Sequence, residues 1–353
     1  MNILITNNLN NGCWSNGLNQ NCFFLADLLT NLGHNVAFLV PHTIEDTKEN
    51  SDYPVFCISD LDHLTNIDYF LQAAFVCPDK WIDILKSKNP KCRNIHIHYG
   101  NRMIGDIEDC KLNTITCSPY LVNEVWISPH FSFSKEYYET FYKTKVRIIK
   151  YIWDPKFVDN LEEKCKKIGE TLYHNPNKDF DFCVTDSNLT FLKNCIPSIS
   201  IFENYIYKND TDKKLHVFCT DSLVKSKHFS SWAQSLLSFQ EEKLIFHGRE
   251  DYDLIFGPNN YGLICHQILC GLNYSYLEAL YFGVPILHNS NYFKKFGYYY
   301  KNYNINQGGN QLKDMVDNYN QNFDSFVENN KKAIFKYSPQ NPAVVKQYKE
   351  IIK

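Results

Sequence analysis

The segment His266-Gln267-Ile268-Leu269-Cys270-Gly271-Leu272-Asn273-Tyr274-Ser275-Tyr276-Leu277-Glu278-Ala279-Leu280-Tyr281-Phe282-Gly283-Val284-Pro285 holds the residues best spaced to bind an anion. A strand is expected to end at His266, a loop carrying Gly271 follows, and a helix starts near Asn273–Ser275. The first N–H groups of a helix lack internal partners and the dipole is positive there, so that end can seat a diphosphate. Glu278, about one turn in, can reach back to accept hydrogen bonds from ribose hydroxyls. The same residues also read as a plain amphipathic helix with a Gly-Val-Pro exit into a buried strand. In Asn94–Arg102, alternation puts His96 and His98 on one face, and His98 lies at the strand's end. No third ligand completes this His-x-His pair with metal spacing, so no metal is expected. The loop Gly12–Gly17 has its two glycines five apart and lacks the dinucleotide fingerprint.

The first of these stretches resembles the donor-site signature of GT-B glycosyltransferases, especially the large retaining family that includes sucrose synthases and bacterial mannosyltransferases. The family pattern E-G-F-G-(L/x)-x-x-x-E-A-x-x-x-G-x-P is matched by Gly271, Glu278, Ala279, Gly283 and Pro285. Glu278 aligns with the second acid of the family's pair, and the first falls at Cys270. With Leu272-Asn273-Tyr274 and His288-Asn289-Ser290, the segment also resembles an uncharacterised bacterial glycosyltransferase-like family. The similarity is strongest over roughly the last hundred residues and architectural elsewhere.

The resemblance implies an α/β GT-B fold, two Rossmann-like domains facing each other across a cleft. It implies transfer of a sugar from a nucleotide-diphosphate sugar, a UDP- or GDP-sugar, to a hydroxyl acceptor on a glycan or glycoconjugate. The anomeric configuration is expected to be retained, without a metal or other cofactor. The diphosphate would be held by Lys193, in the loop or helix start after the first strand of the second series, by Arg249 with Gly248, and by the helix end Asn273, Tyr274, Ser275 and Tyr276. Glu278 would hold the ribose, and His98 would lie beside the transferred sugar as the catalytic candidate. Asn16, Gly17 and Asn19 of the glycine loop would touch donor or acceptor, and His130 is a weaker candidate for the cleft rim. On spacing alone Lys193 also reads as a solvated helix lysine, Arg249 as a surface arginine and His96 as a structural histidine. Three rivals stay open: a nucleotide-sugar binding protein without transfer, motivated by Cys270; an epimerase of the same architecture; and a nicotinamide-dependent oxidoreductase, against which the missing fingerprint argues.

Positioning these residues requires alternating strands and helices. Ile3–Ile5, Val36–Val40, Val55–Ile58, Phe70–Cys77, Asn94–His98 and Thr114–Cys117 read as strands, with helices at Asn19–Leu32, Pro78–Ser87 and Lys135–Tyr142. Asp154-Pro155 is a natural domain edge. A second series follows the charged stretch Glu162–Glu170: strands at Asp181–Val184, Leu215–Cys219, Lys243–His247, Gly262–His266 and Pro285–His288. Its helices are expected at Asn188–Cys195, Phe229–Leu237, Ser275–Phe282 and Gln311–Tyr319. The domains are therefore expected at residues 1–150 and 155–335, and the resembled fold sends a last helix, Pro342–Ile352 within 340–353, back to the first. Tyr298–Tyr300 and Tyr303 read as packing.

The length of 353 residues suits two domains. Hydrophobic residues at 44% and charged residues at 21% describe a folded chain. A net charge of −3, from 36 basic and 39 acidic residues, gives no global field for nucleic acid, and none is expected as a partner. No apolar run is long enough to span a bilayer, and Met1–Thr6 reads as a strand rather than a secretory leader. The thirteen cysteines are scattered without a C-x-x-C pair, which points to reduced, mostly buried thiols and a cytoplasmic protein. Peripheral membrane contact through a local patch stays open.

Overall fold

A computed structural model describes residues 1–9, 17–41, 51–109 and 121–353. They form two compact units, Met1–Asp154 with Tyr337–Lys353, and Pro155–Lys336. The strand expected at Thr114–Cys117 lies outside the described residues.

Unit 1 is built on seven strands: β1 (Asn2–Thr6), β2 (Asn35–Val40), β3 (Val55–Cys57), β4 (Tyr69–Gln72), β5 (Arg93–His98), β6 (Glu124–Ile127) and β7 (Lys145–Ile148). All pairings are parallel, in the order β3-β2-β1-β4-β5-β6-β7. Helices α1 (Gly17–Asn31), α2 (Asp79–Lys88), α3 (Arg102–Asp109) and α4 (Lys135–Tyr142) connect them. A parallel sheet is covered on both faces, which is why its strands read as apolar runs. Leu4, Leu39, Phe70, Val125 and Ile127 pack with Ile82 and Leu85 of α2 and Tyr138 of α4. Each such side chain contributes roughly 1.5–3 kcal/mol by leaving water.

The strand expected to run to Cys77 leaves the sheet after Gln72. Thr6 Oγ1 accepts from the N–H groups of Ala73 and Ala74 at 2.8 and 3.2 Å, and its hydroxyl donates to the Phe75 carbonyl at 3.0 Å. That side chain takes over hydrogen bonds a longer ladder would have made.

Unit 2 repeats the plan with six strands: β8 (Asp181–Val184), β9 (Leu215–Val217), β10 (Leu244–Phe246), β11 (Tyr261–Ile264), β12 (Ile286–His288) and β13 (Tyr298–Tyr299). They too are all parallel, in the order β10-β9-β8-β11-β12-β13. The helices are α5 (Lys156–Lys167), α6 (Ile196–Lys208), α7 (Lys227–Gln234), α8 (Leu237–Gln240), α9 (Tyr252–Phe256), α10 (Tyr274–Tyr281), α11 (Ile305–Asn318) and α12 (Phe323–Tyr337). Helices α6 and α11 pack closely: a Cβ on Gly308 would come within 2.8 Å of the Ile201 side chain.

Two sequence expectations change here. The charged stretch before the second series is part of α5, whose Val158, Leu161, Glu162 and Cys165 form a buried stripe at helical spacing. The helix expected over Asn188–Cys195 is a turn instead, with short bridges Thr190–Lys193 and Lys193–Gln267. Asn188 has φ +54°, and its side chain donates to the Asp186 and Cys219 carbonyls and accepts from the Cys195 N–H. An Asn that satisfies the local backbone in this way competes with helix formation. The helix starts only at Ile196, with Pro197 in its first turn.

The C-terminal helix α13 (Pro342–Ile351) packs on unit 1. Lys150 N–H donates to Gln347 Oε1 at 2.6 Å, and Tyr348 Oη donates to the Lys150 carbonyl at 3.0 Å. At its end, Tyr69 Oη donates to the Lys353 carbonyl at 2.7 Å.

Candidate functional site

In open parallel sheets, ligands bind at the carboxyl ends of the strands where the strand order reverses. In unit 2 that crevice lies between β8 and β11. Asp186 follows β8, Gln267 follows β11, and Gln267 Nε2 donates to Asp186 Oδ1 at 2.9 Å. Lys193 reaches the same place because its strand-like turn pairs with Gln267. Its positive charge acts on the carboxyls of Asp186 and Glu278 and on the Cys270 thiol. All three partners are buried. Burial pushes both the Asp186 and the Glu278 carboxyl up to about 7, with Lys193 opposing the rise. Burial also raises the Cys270 thiol.

Several buried acceptors there have no protein partner. Asp186 Oδ2 and Gln267 Oε1 are unmatched. His266 Nδ1 and Tyr300 Oη lie 2.7 Å apart, and Tyr300 Oη in turn donates to the Cys265 carbonyl at 3.2 Å. His266 therefore carries its proton on Nδ1, its pKa is lowered to about 4 by burial, and Nε2 is a third unmatched acceptor. A ligand rich in hydroxyl donors suits such a wall.

The sequence-predicted residues fall as follows. Glu278 and Lys193 come together. Asn273 precedes α10 in an extended conformation without a side-chain cap bond, Tyr274 and Tyr276 are buried, and Ser275 is partly exposed. Arg249 is exposed and follows β10, two strands from β8, where its charge and that of Asp186 both act on Cys219. Gly248 is needed for a close approach, but to Asp221: a Cβ there would meet Asp221 Oδ1 at 2.9 Å, and Asp221 Oδ2 accepts from the Arg249 N–H at 3.1 Å. Asp186 and Gln267 were not singled out in the sequence. Asp186 stands two residues past a strand, the one signal available.

In unit 1, the order reverses between β1 and β4. A cleft of about 440 Å³ opens there, lined by Leu18 of α1 and by residues 72–76 and 97–102. His98 lines it, its ring stacked on Tyr138 at 4.8 Å. His96 shares that face, its ring 6.2 Å from that of His98, but it is fully buried and spent on the core. Gln72 Oε1 accepts from the Cys77 N–H, so Gln72 Nε2 donates to His96 Nε2 at 2.9 Å, and His96 Nδ1 faces Tyr142 Oη at 3.3 Å. Burial first, then the charges of His98 and Arg102, lower the His96 pKa to about 3. His130 is buried against Phe131. Asn16 lies outside the described residues, and Gly17 opens α1. Asn19 is buried and donates to the Asn8 carbonyl at 2.7 Å, which ties α1 to the loop after β1. Among the described residues, no group of three metal-ligating side chains occurs and no helix is long and apolar enough to cross a membrane.

A family model described as "Protein of unknown function (DUF2827)" matches residues 3–352, and the chain belongs to that family. No curated protein matches the chain. Among solved structures, a glycosyltransferase from Rickettsia africae ESF-5 is 14% identical with a TM-score of 0.59, over 100% of this chain and 97% of that one. An alpha-glucosyltransferase in complex with UDP and a 13-mer DNA is 11% identical with a TM-score of 0.64, over 100% and 99%. Anabaena HepE in complex with UDP-glucose is 9% identical with a TM-score of 0.57, over 99% and 100%. The α/β architecture is that of the GT-B glycosyltransferases.

Proposed function

We propose that this member of the DUF2827 family transfers a sugar from a nucleotide-diphosphate sugar to a hydroxyl acceptor, with retention and without a metal. The observation that carries the reading is one lysine facing two buried carboxyls at the β8/β11 crevice, beside the first turn of α10. Structural likeness to glycosyltransferases, two of them solved with UDP or UDP-glucose, supports it. Lys193 and the α10 N-terminus hold the diphosphate, and Arg249 assists from the loop after β10, two strands from β8. Glu278 accepts from the ribose hydroxyls. The bond from the anomeric carbon to the β-phosphate oxygen breaks, and the acceptor oxygen bonds to the same face. The leaving phosphate takes the acceptor's proton, and Lys193 offsets the charge that develops on it. Cys270 stands where the resemblance expects an acid, and its thiol is raised first by burial, with Lys193 opposing and the Asp186 charge adding to the rise.

The test is thermal denaturation with UDP, GDP, ADP, TDP and their sugar conjugates, beside NAD and NADP. A ligand bound only by the native state raises its apparent stability. A shift with one nucleoside diphosphate, absent in Lys193→Met, is expected, followed by transfer from its sugar conjugate. No shift with any nucleotide in folded protein overturns the reading.

A further inference from the structure

We propose that the unit 1 cleft takes its ligand through an oxyanion, a phosphate or a carboxylate, docked against Asn101 and Arg102 at the start of α3. In naming that ligand an acceptor, the proposal rests on the transferase reading. Among the described lining residues, Arg102 carries a permanent charge. Asn101 is 8% exposed, and its Oδ1 accepts from the Ile104 N–H at 3.1 Å. That bond caps α3 and identifies the other amide atom as Nδ2, a donor buried without a partner. A buried donor beside a helix N-terminus and a guanidinium calls for an acceptor with negative charge.

The position is held from below. The Arg102 N–H donates to Tyr138 Oη at 3.0 Å, and the same Tyr138 ring carries His98. The first turn of α3 and the His98 ring are thus fixed relative to one another by a fully buried side chain. A Cβ on Gly100 would meet nothing within 4 Å, so the cleft is open at that point. The facing wall, Leu18 and Ala73–Val76, is apolar or backbone and suits the body of a ligand rather than its charge. A cleft of about 440 Å³ is in the range that holds small ligands.

The experiment titrates the full chain with glucose 6-phosphate, glucuronate, glucose and methyl glucoside at constant ionic strength, read by thermal shift and calorimetry, with UDP as a separate titration. The two anionic sugars separate phosphate from carboxylate, and a shift with either one, with none from the neutral sugars, is expected. Asn101→Asp keeps the helix cap while replacing the donor by a charged oxygen, so it is expected to fold and to lose anion binding by roughly tenfold or more. Arg102→Gln is expected to weaken it by roughly tenfold. Equal response to neutral and anionic sugars, no response to any of the four, or undiminished binding by Asn101→Asp overturns the proposal. UDP binding retained by both variants localises their effect to the cleft. UDP that fails to bind wild type breaks the transferase reading and leaves the anion result standing.

Discussion

The two sheets reverse strand order at equivalent places, between β1 and β4 and between β8 and β11, yet the two crevices hold opposite chemistry. In unit 2 the crevice is closed by the Asp186–Gln267 hydrogen bond and crowded by Glu278 and Cys270, all buried, around one lysine. In unit 1 the crevice is an open cleft, and among its described lining residues Arg102 carries a permanent charge. Both follow the rule that parallel sheets offer their loops at the carboxyl ends of the strands. The difference lies in what burial does to the groups there. It holds protons on two acids near neutrality in unit 2, and strips the proton from His96 in unit 1.

Lys193→Met should break the contrast most strongly. It removes the cation that acts on both acids, and nucleoside-diphosphate affinity is expected to fall by roughly 10²–10³, measured by calorimetry. Unchanged affinity would take Lys193 out of the site.

Glu278→Gln tests the buried acid itself. The folded carboxyl titrates at about 7 and the unfolded one near 4.5, so the folded state keeps its proton over the longer range. Glu278's contribution to stability is then full below pH 4.5 and lost as pH rises to about 7, where it levels off. Gln carries no charge, so the stability gain of the variant over wild type should grow across that window to on the order of 3 kcal/mol. Nucleotide affinity should fall roughly tenfold in the same variant. In wild type it should strengthen as pH rises through 7, because the ionised carboxyl is the stronger acceptor for the ribose hydroxyls. A pH-independent stability difference between the two proteins would refute the buried-acid account.

His96→Leu sharpens the distinction between two histidines two residues apart. Losing its bonds to Gln72 and Tyr142 should cost about 2 kcal/mol in urea denaturation and leave nucleotide binding untouched. The smallest effect expected is that of Asn101→Ala, about 1 kcal/mol from the lost α3 cap, seen as a lower Tm. Asn101→Asp should not show it.

Helix α10 was legible because its signals are local. Gly271, Glu278, Gly283 and Pro285 mark a loop, a helix and its exit within a single short segment, and α10 lies within a residue of the expected helix. Strands β1, β2, β5 and β8 were legible for the same reason, as apolar runs bounded by turns. Strand β6 was not, because Glu124 in it breaks the apolar pattern. Its carboxylate is buried between Arg93 of β5 and Arg147 of β7, partners that only the sheet supplies. The helix expected around Lys193 was misplaced, since Asn188 spends its side chain on a turn there and leaves Lys193 in a loop.

By itself, then, the sequence determined the alternation of strands and helices, the loops at their ends and the acid one turn into α10, because each depends on residues a few positions apart. Only the tertiary structure decided that Asp186 meets Gln267 across 81 residues, that both acids lose their water, and that Asn101 keeps an unmatched donor beside an open cleft. Desolvation and hydrogen-bond matching are properties of what surrounds a group, and those surroundings come from chain segments far apart in sequence.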